Sequence, residues 1–592
     1  MQTNEAHLTT SQKLNKAQEH HRKGESAEEE SVYREILTLD KKHSVALFLL
    51  GRLYLALGRE ADAEPLLKQV VQQHPDQHEA RFLLGNALLT LGFPEKAISH
   101  YQFLIRLDNR RTDTLNNLGV ALQQIGKLQE AEDVLRRVLC INESAKAYFN
   151  LGNLLCHAKK ADEAQEAYRS ALTLDPDNTE VLNNLGTLFY TQGKHEDAAW
   201  CYRQATLRKP DFLIAHLNLG NVFREGGKSR EAIGAYRRVL ALDPFHASAH
   251  LFQGMELFAL GQLAGAIASY RKSLSLEPDN AAAHNNLGIA LLLQGNYVEG
   301  WKEYESRLQC GGAGVPTLVE PIWRGEEKPG KTLLIMAEQG AGDTLQFIRY
   351  VGLIRSKFRR VTVACQKGLG RLLEESGVAD TVEEYDSSDP MTPDYDACTV
   401  LMSLPLLSGN LLPYTPPLPY LKAKATRVNE WQKRLVEVAG KRVGITWSGN
   451  PDHFNDANRS CPLRLLVPLS EIHGISLVSL QTGKEGECPA VSTLAHTVLP
   501  FLTDYAETAA AIQNLDLVIT VDTSVAHLAG ALGKPVWLLL PFLPDWRWGL
   551  GGDCTPWYPT MRLFRQPRPG DWRTVMAKVR AELDHYARQK AA

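Results

Sequence analysis

Four polar residues at one strand end are the first candidates for chemistry. The segment DLVITVDTSVAHLAGALGKPVWLLLP, residues 516–541, reads as an apolar strand, a turn, a small-residue helix and a second apolar strand. Its turn carries Asp522, Thr523, Ser524 and His527. The free N–H groups of a helix N-terminus and adjacent hydroxyls suit a phosphate. An ordinary N-cap at Asp522 or Thr523 has the same local pattern, so both interpretations stay open.

A glycine-rich turn earlier in the chain carries a second candidate. KTLLIMA (331–337) reads as a buried strand, EQGAGD (338–343) as the turn, and TLQFIRYVGLIRSKF (344–358) as a helix. Asp343 ends the turn, where a carboxylate can serve as a general base or cap the following helix. The turn is too short for a Walker loop and lacks its lysine.

Alternating strands and helices must position these residues. The pattern predicts parallel, doubly wound sheets in two Rossmann-like lobes, with a cleft between their strand ends. A helix, VNEWQKRLVEVAG (428–440), connects the two series. The further predicted strands are RVTVAC (360–365), DTVEEY (380–385), DACTVLMS (396–403), RVGITWSG (442–449), ISLVSLQ (475–481), DLVITVD (516–522) and KPVWLLLP (534–541).

A repeat of 34 residues fills the first half of the chain. Seven residues after a phased glycine, a second small-residue position recurs, and Lys159 alone breaks that second series. Alanine and tyrosine follow at fixed offsets. This pattern resembles the tetratricopeptide repeat (TPR) and predicts about nine helix pairs across roughly residues 10–309. The phased glycines are Gly51, Gly85, Gly119, Gly152, Gly186, Gly220, Gly254 and Gly288.

Carboxamides recur two residues before the phased glycine. Stacked helix pairs of this kind form a solenoid with a concave groove, and the resemblance places these side chains on its groove-facing helices. A carboxamide offers a donor and an acceptor together, which suits a peptide main chain. The alternative is that they only solvate the groove wall. The candidate acceptor-peptide residues are Asn117, Asn150, Asn184, Asn218 and Asn286.

Composition excludes several classes of protein. The net charge of −3 over 592 residues gives no electrostatic reason to expect nucleic acid. Nine cysteines are scattered singly, which predicts reduced thiols rather than a disulfide framework or a zinc site. The first residues lack the apolar core of a signal peptide, and no apolar run approaches the ~20 residues of a membrane helix. We therefore expect a cytoplasmic protein without membrane insertion.

The segment VDTSVAHLAGALGKPVWLLLP resembles the donor-nucleotide motif of glycosyltransferase family 9, the heptosyltransferase-like group with the GT-B fold. Further stretches are similar to the version of that domain that bacteria fuse to TPR repeats, and the resemblance covers about residues 331–592. It implies an inverting transfer from a nucleotide sugar, with no metal or other cofactor. Those stretches are AEQGAGDTLQFIRYV, RVGITWSGNP, NRS (458–460) and DWRW…PWYPTMRLFRQ (545–566).

The resemblance implies a role for each candidate. Asp343 matches the catalytic base. A basic residue after the first strand of the second lobe binds donor phosphate in the family, and Arg459 matches it best, with a surface arginine as the alternative. His527 is either a phosphate or ribose ligand or a core histidine. The whole donor-side set is Arg459, Asp522, Thr523, Ser524, His527 and Gln481.

Two other features have simpler interpretations. DYD (394–396) has the D-x-D form that binds a metal–nucleotide in the other glycosyltransferase fold, but its place at the head of a strand favours a turn. An aromatic run is interpreted as core and cleft wall rather than as a base-stacking platform: Trp546, Trp548, Trp557 and Tyr558.

The predicted domains are a TPR solenoid (1–309), a linker (310–330), a short acceptor-side lobe (331–425) and a donor-side lobe (426–592). The short first lobe, without an evident basic cluster for lipid phosphates, favours a protein acceptor over lipopolysaccharide. The same plan occurs in O-GlcNAc transferases and bacterial flagellin glycosyltransferases. We therefore expect sugar transfer to Ser or Thr of a protein selected by the TPR groove, with flagellin as one candidate.

Two alternatives stay open: a TPR scaffold with an inactive or nucleotide-sensing GT-B domain, and a transferase acting on a lipid-linked glycan. If the repeats choose the acceptor, a cut in the linker should yield a repeat fragment that binds the acceptor. It should also yield a transferase fragment that still binds nucleotide.

Overall fold

A computed structural model describes residues 9–311, 321–385, 395–453, 455–483, 486 and 489–589. The chain forms two compact units, Met1–Leu242 and Asp243–Ala592. In the described residues, the first unit holds seven helix pairs, and the second holds two more pairs and two parallel sheets. The predicted fold class is confirmed: an all-α TPR superhelix followed by an α/β GT-B-type module of two Rossmann-like lobes.

The first unit consists of paired antiparallel helices of 13 or 14 residues. They are α1 (Thr10–Lys23), α2 (Ser26–Leu39), α3 (Ser44–Ala56), α4 (Glu60–Gln73), α5 (His78–Thr90), α6 (Pro94–Leu107), α7 (Thr112–Gln124), α8 (Leu128–Ile141), α9 (Ala145–His157), α10 (Ala161–Leu174), α11 (Thr179–Thr191), α12 (His195–Arg208), α13 (Leu213–Glu225) and α14 (Ser229–Leu242).

The phased glycines let the two helices of a repeat cross closely. A Cβ atom on Gly85 would lie 2.7 Å from the ring of Tyr101, and one on Gly220 would lie 2.5 Å from the ring of Tyr236. Both tyrosines are fully buried. A larger residue at these glycines would force the helices apart, which explains the fixed spacing of glycine and tyrosine.

The second small-residue position is a left-handed turn between the helices of each pair. Gly58, Gly92 and Gly126 have φ values of 69°, 79° and 77°. Lys159 takes the same conformation, with φ 59°, where the series lacks its glycine. The turn geometry therefore persists with a side chain that disfavours it.

The second unit begins with two further helix pairs and continues into the first lobe. Its elements are α15 (Ala247–Ala259), α16 (Leu263–Leu276), α17 (Ala281–Gln294), α18 (Tyr297–Tyr304), β1 (Lys328–Met336), α19 (Ala341–Phe347), α20 (Val351–Ile354), β2 (Phe358–Gln366), α21 (Gly370–Ser376), β3 (Thr381–Tyr385), β4 (Ala397–Val400) and α22 (Leu404–Leu407), with a 3₁₀ turn at Glu305–Gln309.

The second lobe follows after a connecting helix. Its elements are α23 (Ala425–Arg434), β5 (Lys441–Thr446), α24 (Asp456–Arg459), α25 (Val467–Ser470), β6 (Ile475–Ser479), α26 (Pro489–Leu494), β7 (His496–Thr497), α27 (Tyr505–Gln513), β8 (Leu517–Val521), α28 (Ser524–Ala531), β9 (Val536–Leu540), β10 (Met561–Arg565) and α29 (Trp572–Arg588), with a 3₁₀ turn at Trp546–Trp548.

Both sheets are parallel, and each reverses its strand order once. The first sheet has the order β3-β2-β1-β4, and the second has the order β10-β9-β8-β5-β6-β7. The order reverses between β1 and β4 and between β5 and β8. Ligands of open α/β sheets bind at the carboxyl ends of the strands at such points. The glycine-rich turn follows β1, and the Asp522 junction follows β8.

The predicted strands all form, and the helix after the glycine-rich turn differs from the prediction. TLQFIRYVGLIRSKF is interrupted by 3₁₀ turns at Ile348–Tyr350 and Arg355–Lys357. The buried Arg349 side chain donates from Nε to the carbonyl of Gln346 at 2.8 Å. A regular α-helix uses that carbonyl for the amide four residues later, so the side chain competes with the backbone ladder.

The last repeat is part of the core of the α/β region. Trp301 of α18 is 1% exposed, and its ring centroid lies 5.3 Å from that of Trp546 and 5.8 Å from that of Phe347. Its indole N–H donates to the carbonyl of Leu411 at 3.0 Å. Residues on both sides of the predicted 309/310 boundary therefore share one hydrophobic core. This packing makes us expect that a cut in the linker disrupts the transferase region, contrary to the sequence-based expectation.

The end of the predicted linker also belongs to the first lobe. Trp323 donates from its backbone N–H to the carbonyl of Cys398 at 2.8 Å, and its buried ring packs on Phe358. Residues 312–320 of the linker lie outside the described residues. In the part of the chain that the structure describes, none of the helices has the length and hydropathy to span a bilayer.

Candidate active site

The two candidate turns meet between the lobes. A Cβ atom on Gly342, in the first turn of α19, would lie 3.0 Å from Cδ2 of His527 and 3.6 Å from Cα of Ser524. Glycine therefore lets α19 approach the start of α28 this closely. The approach brings Asp343 of the first lobe to the donor-side junction of the second.

Asp343 caps a helix, and its role as a base stays a prediction. Its Oδ2 accepts a hydrogen bond from the backbone N–H of Gly340 at 2.9 Å, so it caps α19. Its Oδ1 accepts a hydrogen bond from Arg547. Burial raises the pKa of Asp343 above its ordinary value, the charge of Asp545 adds to the increase, and Arg547 opposes it. Asp343 is thus a helix cap that also lies at the meeting point of the lobes.

Arg547 is the central residue that the sequence interpretation missed. It is 5% exposed, and its guanidinium donates to Asp343, to the side-chain oxygen of Gln346, and to Asp545 at 2.8 Å. A buried guanidinium needs such partners because an unpaired buried charge is very costly. Its only sequence signal is its place in DWRW (545–548), one of the stretches that resemble the TPR-fused glycosyltransferase domain. Nothing in that stretch shows that it reaches residue 343.

Asp522 lies half-buried at the carboxyl end of β8. Burial raises its pKa to about 7, and the neighbouring charge of Asp545 contributes. The indole N–H of Trp548 and the charges of Arg459 and Arg547 pull the pKa in the other direction. The charge of Asp522 therefore changes near neutral pH.

Thr523 is the N-cap residue of α28, but its side chain makes no capping hydrogen bond. Its hydroxyl lies 3.2 Å from that of Thr520 instead. The Ser524 hydroxyl accepts a hydrogen bond from the Tyr505 hydroxyl at 3.0 Å. Thr523 therefore occupies the predicted N-cap position but lacks the side-chain hydrogen bond of an ordinary cap. Its side chain leaves the first-turn N–H groups of α28 uncapped, while its backbone carbonyl accepts from the N–H of Ala526 at 3.0 Å.

His527 has the surroundings of a core histidine. It is 5% exposed, its Nδ1 lies 3.0 Å from the Tyr558 hydroxyl, and its ring stacks on Trp548 with centroids 5.3 Å apart. Burial and the charges of Arg547 and Arg349 lower its pKa well below the ordinary value, so the ring is neutral. A direct contact with donor stays a prediction.

The aromatic run that includes Trp548 is buried. The interpretation as core is confirmed, because the four side chains are at most 4% exposed: Trp546, Trp548, Trp557 and Tyr558. A place in the cleft wall stays a prediction.

Arg459 ends the short helix α24 and points into the same region. Its side chain is 16% exposed, and Nε donates to Oδ1 of Asp456 at 3.2 Å. A Cβ atom on Gly449 would lie 2.5 Å from its guanidinium, so glycine makes room for it. The Arg459 side chain is therefore mostly buried, and its charge helps to lower the pKa of Asp522. A contact with the donor phosphate stays a prediction.

Gln481 holds the loop that follows β5. Its side-chain oxygen accepts from the backbone N–H groups of Trp447 and Ser448, both at 3.1 Å. Its amide donates to the carbonyls of Ser448 and Thr482 at 3.2 and 3.3 Å. Because its polar atoms bond to the backbone, Gln481 fixes the conformation of the loop after β5. A direct contact with the donor stays a prediction.

His453 is a second residue that sequence reasoning missed. Burial and the charge of Arg459 lower its pKa, and Asp545, Asp456 and Asp343 act in the opposite direction. His453 is therefore close enough to Asp343 and Arg459 for their charges to affect its pKa.

The D-x-D segment has no metal-site geometry in its described part. Asp394 lies outside the described residues. Asp396, directly before β4, accepts hydrogen bonds from the backbone N–H of Thr332 and from Lys331 Nζ, both at 2.8 Å. These bonds connect the turn before β4 to the neighbouring strand β1. Among the residues described, no group of three or more acidic, histidine or cysteine side chains is arranged to hold a metal. Metal independence stays a prediction.

The groove asparagines join neighbouring repeats. Asn117 donates to Asn86 Oδ1 at 2.8 Å, and Asn184 donates to Asn153 Oδ1 at 2.9 Å. Asn150 and Asn218 make equivalent contacts with Asn116 and Asn183, at 3.4 and 3.0 Å, while Asn286 donates to the carbonyl of Ala282 in its own helix at 2.8 Å. One amide donor of each is thus already used. A peptide-binding role for their other polar groups stays a prediction.

Comparison with known proteins identifies both regions of the chain. Profiles described as tetratricopeptide repeat match residues 48–109, 111–145, 143–206 and 183–247, and one described as TPR repeat matches residues 254–295. The profile of glycosyltransferase family 9 (heptosyltransferase) matches residues 488–539, which contain β8, α28 and most of β9.

Protein FlbA of Caulobacter vibrioides is 26% identical over 331 residues, which are 50% of this chain and 54% of FlbA. This chain thus spans about half the length of that relative. The crystal structure of MamA protein matches with 26% identity and a TM-score of 0.27, covering 28% of this chain and 90% of MamA. The structure of pilF from Pseudomonas aeruginosa matches with 27% identity and a TM-score of 0.30, covering 34% and 93% of the two chains. The chain therefore joins tetratricopeptide repeats to a glycosyltransferase family 9 domain.

Proposed function

We propose that this protein is a glycosyltransferase that moves a sugar from a nucleotide sugar to a Ser or Thr hydroxyl of a protein. One observation carries the proposal. The carboxylate of Asp343 in one lobe and the N-terminus of α28 in the other lie side by side around the buried Arg547. A carboxylate and anion-binding N–H groups at one place are the two requirements of an inverting transfer.

The acceptor side of the reaction uses Asp343. The acceptor oxygen forms a bond to the anomeric carbon of the sugar while its proton passes to the Asp343 carboxylate. The raised pKa strengthens Asp343 as a proton acceptor, and Arg547 keeps it ionised before the transfer. Without its arginine, the buried carboxylate would more readily take up a proton from water.

The donor side of the reaction uses the second lobe. The bond between the anomeric carbon and the phosphate oxygen breaks, and its electron pair leaves with the nucleotide phosphate. First-turn N–H groups of α28, the Thr523 hydroxyl and the Arg459 guanidinium stabilise that negative charge. The Ser524 hydroxyl is held in place by Tyr505.

The repeats support a protein acceptor. TPR solenoids present concave surfaces that suit extended chains. We propose a cytoplasmic protein acceptor, with flagellin as one candidate, and no metal requirement. A lipid-linked glycan acceptor and an inactive, nucleotide-sensing domain are the alternatives that the experiment must separate.

The experiment has two stages. Thermal-shift screening of the full-length chain against UDP-, GDP-, ADP- and CMP-sugars identifies the donor. Intact-protein mass spectrometry then follows transfer of that sugar to candidate acceptor proteins. A sugar-sized mass increase on Ser or Thr supports the proposal. Binding without transfer to proteins or to lipid-linked glycans would leave the nucleotide-sensing alternative.

Replacing Arg459 by alanine tests the donor side. We expect donor affinity to fall about 10-fold to 100-fold, because a charge-assisted hydrogen bond to phosphate contributes about 1.5–3 kcal/mol. Isothermal titration with the identified nucleotide sugar measures the change. Arg464→Ala removes an exposed arginine of the same lobe and serves as the matched control. Equal affinities for the two variants would exclude a phosphate contact by Arg459.

The pKa of Asp522 predicts a pH dependence of donor binding. Ionisation of Asp522 between pH 6 and 8 places a negative charge beside the donor phosphate, so we expect affinity to fall about tenfold over that range. Asp522→Asn should remove the dependence, and titrations at pH 6, 7 and 8 measure it. Parallel pH profiles for wild type and Asp522→Asn would contradict this role of Asp522.

A further inference from the structure

Gln339 has a backbone conformation that its residue type disfavours. Its φ is 59°, in the left-handed region, and among the described non-glycine residues only Lys159 shares a positive φ. Such a conformation costs a residue with a side chain about 1–2 kcal/mol. It persists where surrounding contacts enforce it, often at functional sites. Gln339 lies in the glycine-rich turn, four residues before Asp343.

The last repeat supplies the contacts that enforce this conformation. The Gln339 amide donates from Nε2 to the Tyr304 hydroxyl at 3.1 Å. Arg307 donates from Nε and a terminal nitrogen to the two carboxylate oxygens of Glu338, at 3.0 and 2.7 Å. On the other side, the Gln339 carbonyl accepts from the Gln366 amide at 3.4 Å. The start of the turn is therefore held by both the side chain and the backbone of Gln339 and by the side chain of Glu338.

The Arg307–Glu338 pair is deeply buried and connects both strands at the switch point of the first sheet. The two side chains are 4% and 0% exposed. Glu338 also accepts from the backbone N–H of Met402, and Arg307 donates to the Ser403 hydroxyl, at 3.1 and 2.9 Å. A buried ion pair adds little stability over an apolar packing of equal volume. Its directional hydrogen bonds instead define one geometry for the end of β1.

Tyr304 lies within electrostatic reach of the candidate base. Burial raises its pKa to about 12, and the charges of Arg307, Arg547 and Asp343 all act on it. The charges of the buried ion pair and of the site thus both act on a residue of the last repeat.

We propose that Gln339 is a positioning residue for Asp343, held in its left-handed conformation by Tyr304 and Arg307 of the last repeat. This inference rests on the proposed function of Asp343 as a base. The contacts of Tyr304 and Arg307 with the glycine-rich turn therefore set the position of the Asp343 carboxylate relative to α28. Because proton transfer needs hydrogen-bond distance, a displacement of about 1 Å is enough to lower turnover by up to about 100-fold.

A matched pair of glycine substitutions tests the proposal in the full chain. Glycine adopts a positive φ freely, so neither Gln339→Gly nor Lys159→Gly should lower the unfolding temperature. Gln339→Gly should lower kcat about tenfold or more, leave the donor Kd within about twofold, and raise hydrogen exchange of amides 340–344 about tenfold. Lys159→Gly removes the same backbone strain far away in the sequence and should change none of the three.

Tyr304→Phe provides a second route if Gln339→Gly unfolds. It keeps the buried ring and removes only the hydroxyl that accepts from Gln339, and the same kcat and exchange changes are expected. The inference is overturned if Asp343→Asn abolishes transfer while Gln339→Gly and Tyr304→Phe transfer sugar like wild type. The proposed function would then still stand. If wild type transfers sugar from no donor, the proposed function fails. The hydrogen-exchange rates of amides 340–344 then decide whether Gln339 orders the turn. Rates unchanged from wild type would show that it does not, and would overturn the inference.

Discussion

Asp343→Asn should lower the turnover of sugar transfer at least about 100-fold, the usual scale for loss of a general base. The amide keeps the size of the carboxylate, and its one oxygen can still accept from Arg547. Its NH2 group replaces the oxygen that accepts from Gly340, and it cannot take the acceptor proton. Arg547 retains its 2.8 Å contact with Asp545, so no buried charge is left without a partner. Donor affinity should therefore stay within about twofold of wild type.

Initial rates at saturating donor, with donor binding measured separately, distinguish this result from a binding defect. Asp553→Asn, an exposed acid-to-amide change in the same region of the second lobe, is the control and should leave turnover unchanged. Near-normal turnover in Asp343→Asn would show that the carboxylate only caps α19. The base would then have to be sought among the other groups at the site, with His453 first.

A chain that starts at residue 310 should fail to fold, whereas residues 243–592 should fold and bind donor. The shorter fragment loses Trp301 and Tyr304 from its core and leaves Glu338 buried without Arg307. Breaking a buried ion pair costs about 3–5 kcal/mol, and each large apolar side chain contributes about 1.5–3 kcal/mol on burial. Together these losses approach the whole stability of an ordinary domain, about 5–15 kcal/mol.

The measurement compares the two fragments side by side by size-exclusion chromatography, near-ultraviolet circular dichroism and thermal unfolding, followed by donor titration. The 243–592 fragment corresponds to one compact unit and is the internal control. A monomeric 310–592 fragment with a cooperative unfolding transition and normal donor affinity would contradict the structural role of the last repeat. It would restore the expectation that a cut in the linker separates recognition from chemistry.

Local patterns carried much of the prediction. The phase of glycine and tyrosine identified the repeats because a helix pair must cross at a small residue, as at Gly85 and Tyr101. Alternating apolar strands and helices identified two parallel sheets, because each element must bury its own face. The short strand β7 and the edge strand β10 were missed. The latter's segment MRLFR carries two arginines in five residues and lacks the apolar run of its neighbours.

Asp343 and Asp522 were predicted from sequence because each follows an apolar strand and lies at the start of a helix, a pattern that lies within a few residues. Arg547 was not found, because its contact with Asp343 joins residues 204 positions apart. That contact depends on the order of strands in two sheets and on the fit of α19 against α28 through Gly342, which no local period encodes. The union of the last repeat with the first lobe likewise depends on packing. Trp301 of α18 contacts Phe347, and Arg307, three residues after α18, pairs with Glu338. The sequence alone thus determined the elements and the residues at their ends. Tertiary structure decided which of those residues meet, because side chains distant in sequence come together only through the packing of whole elements.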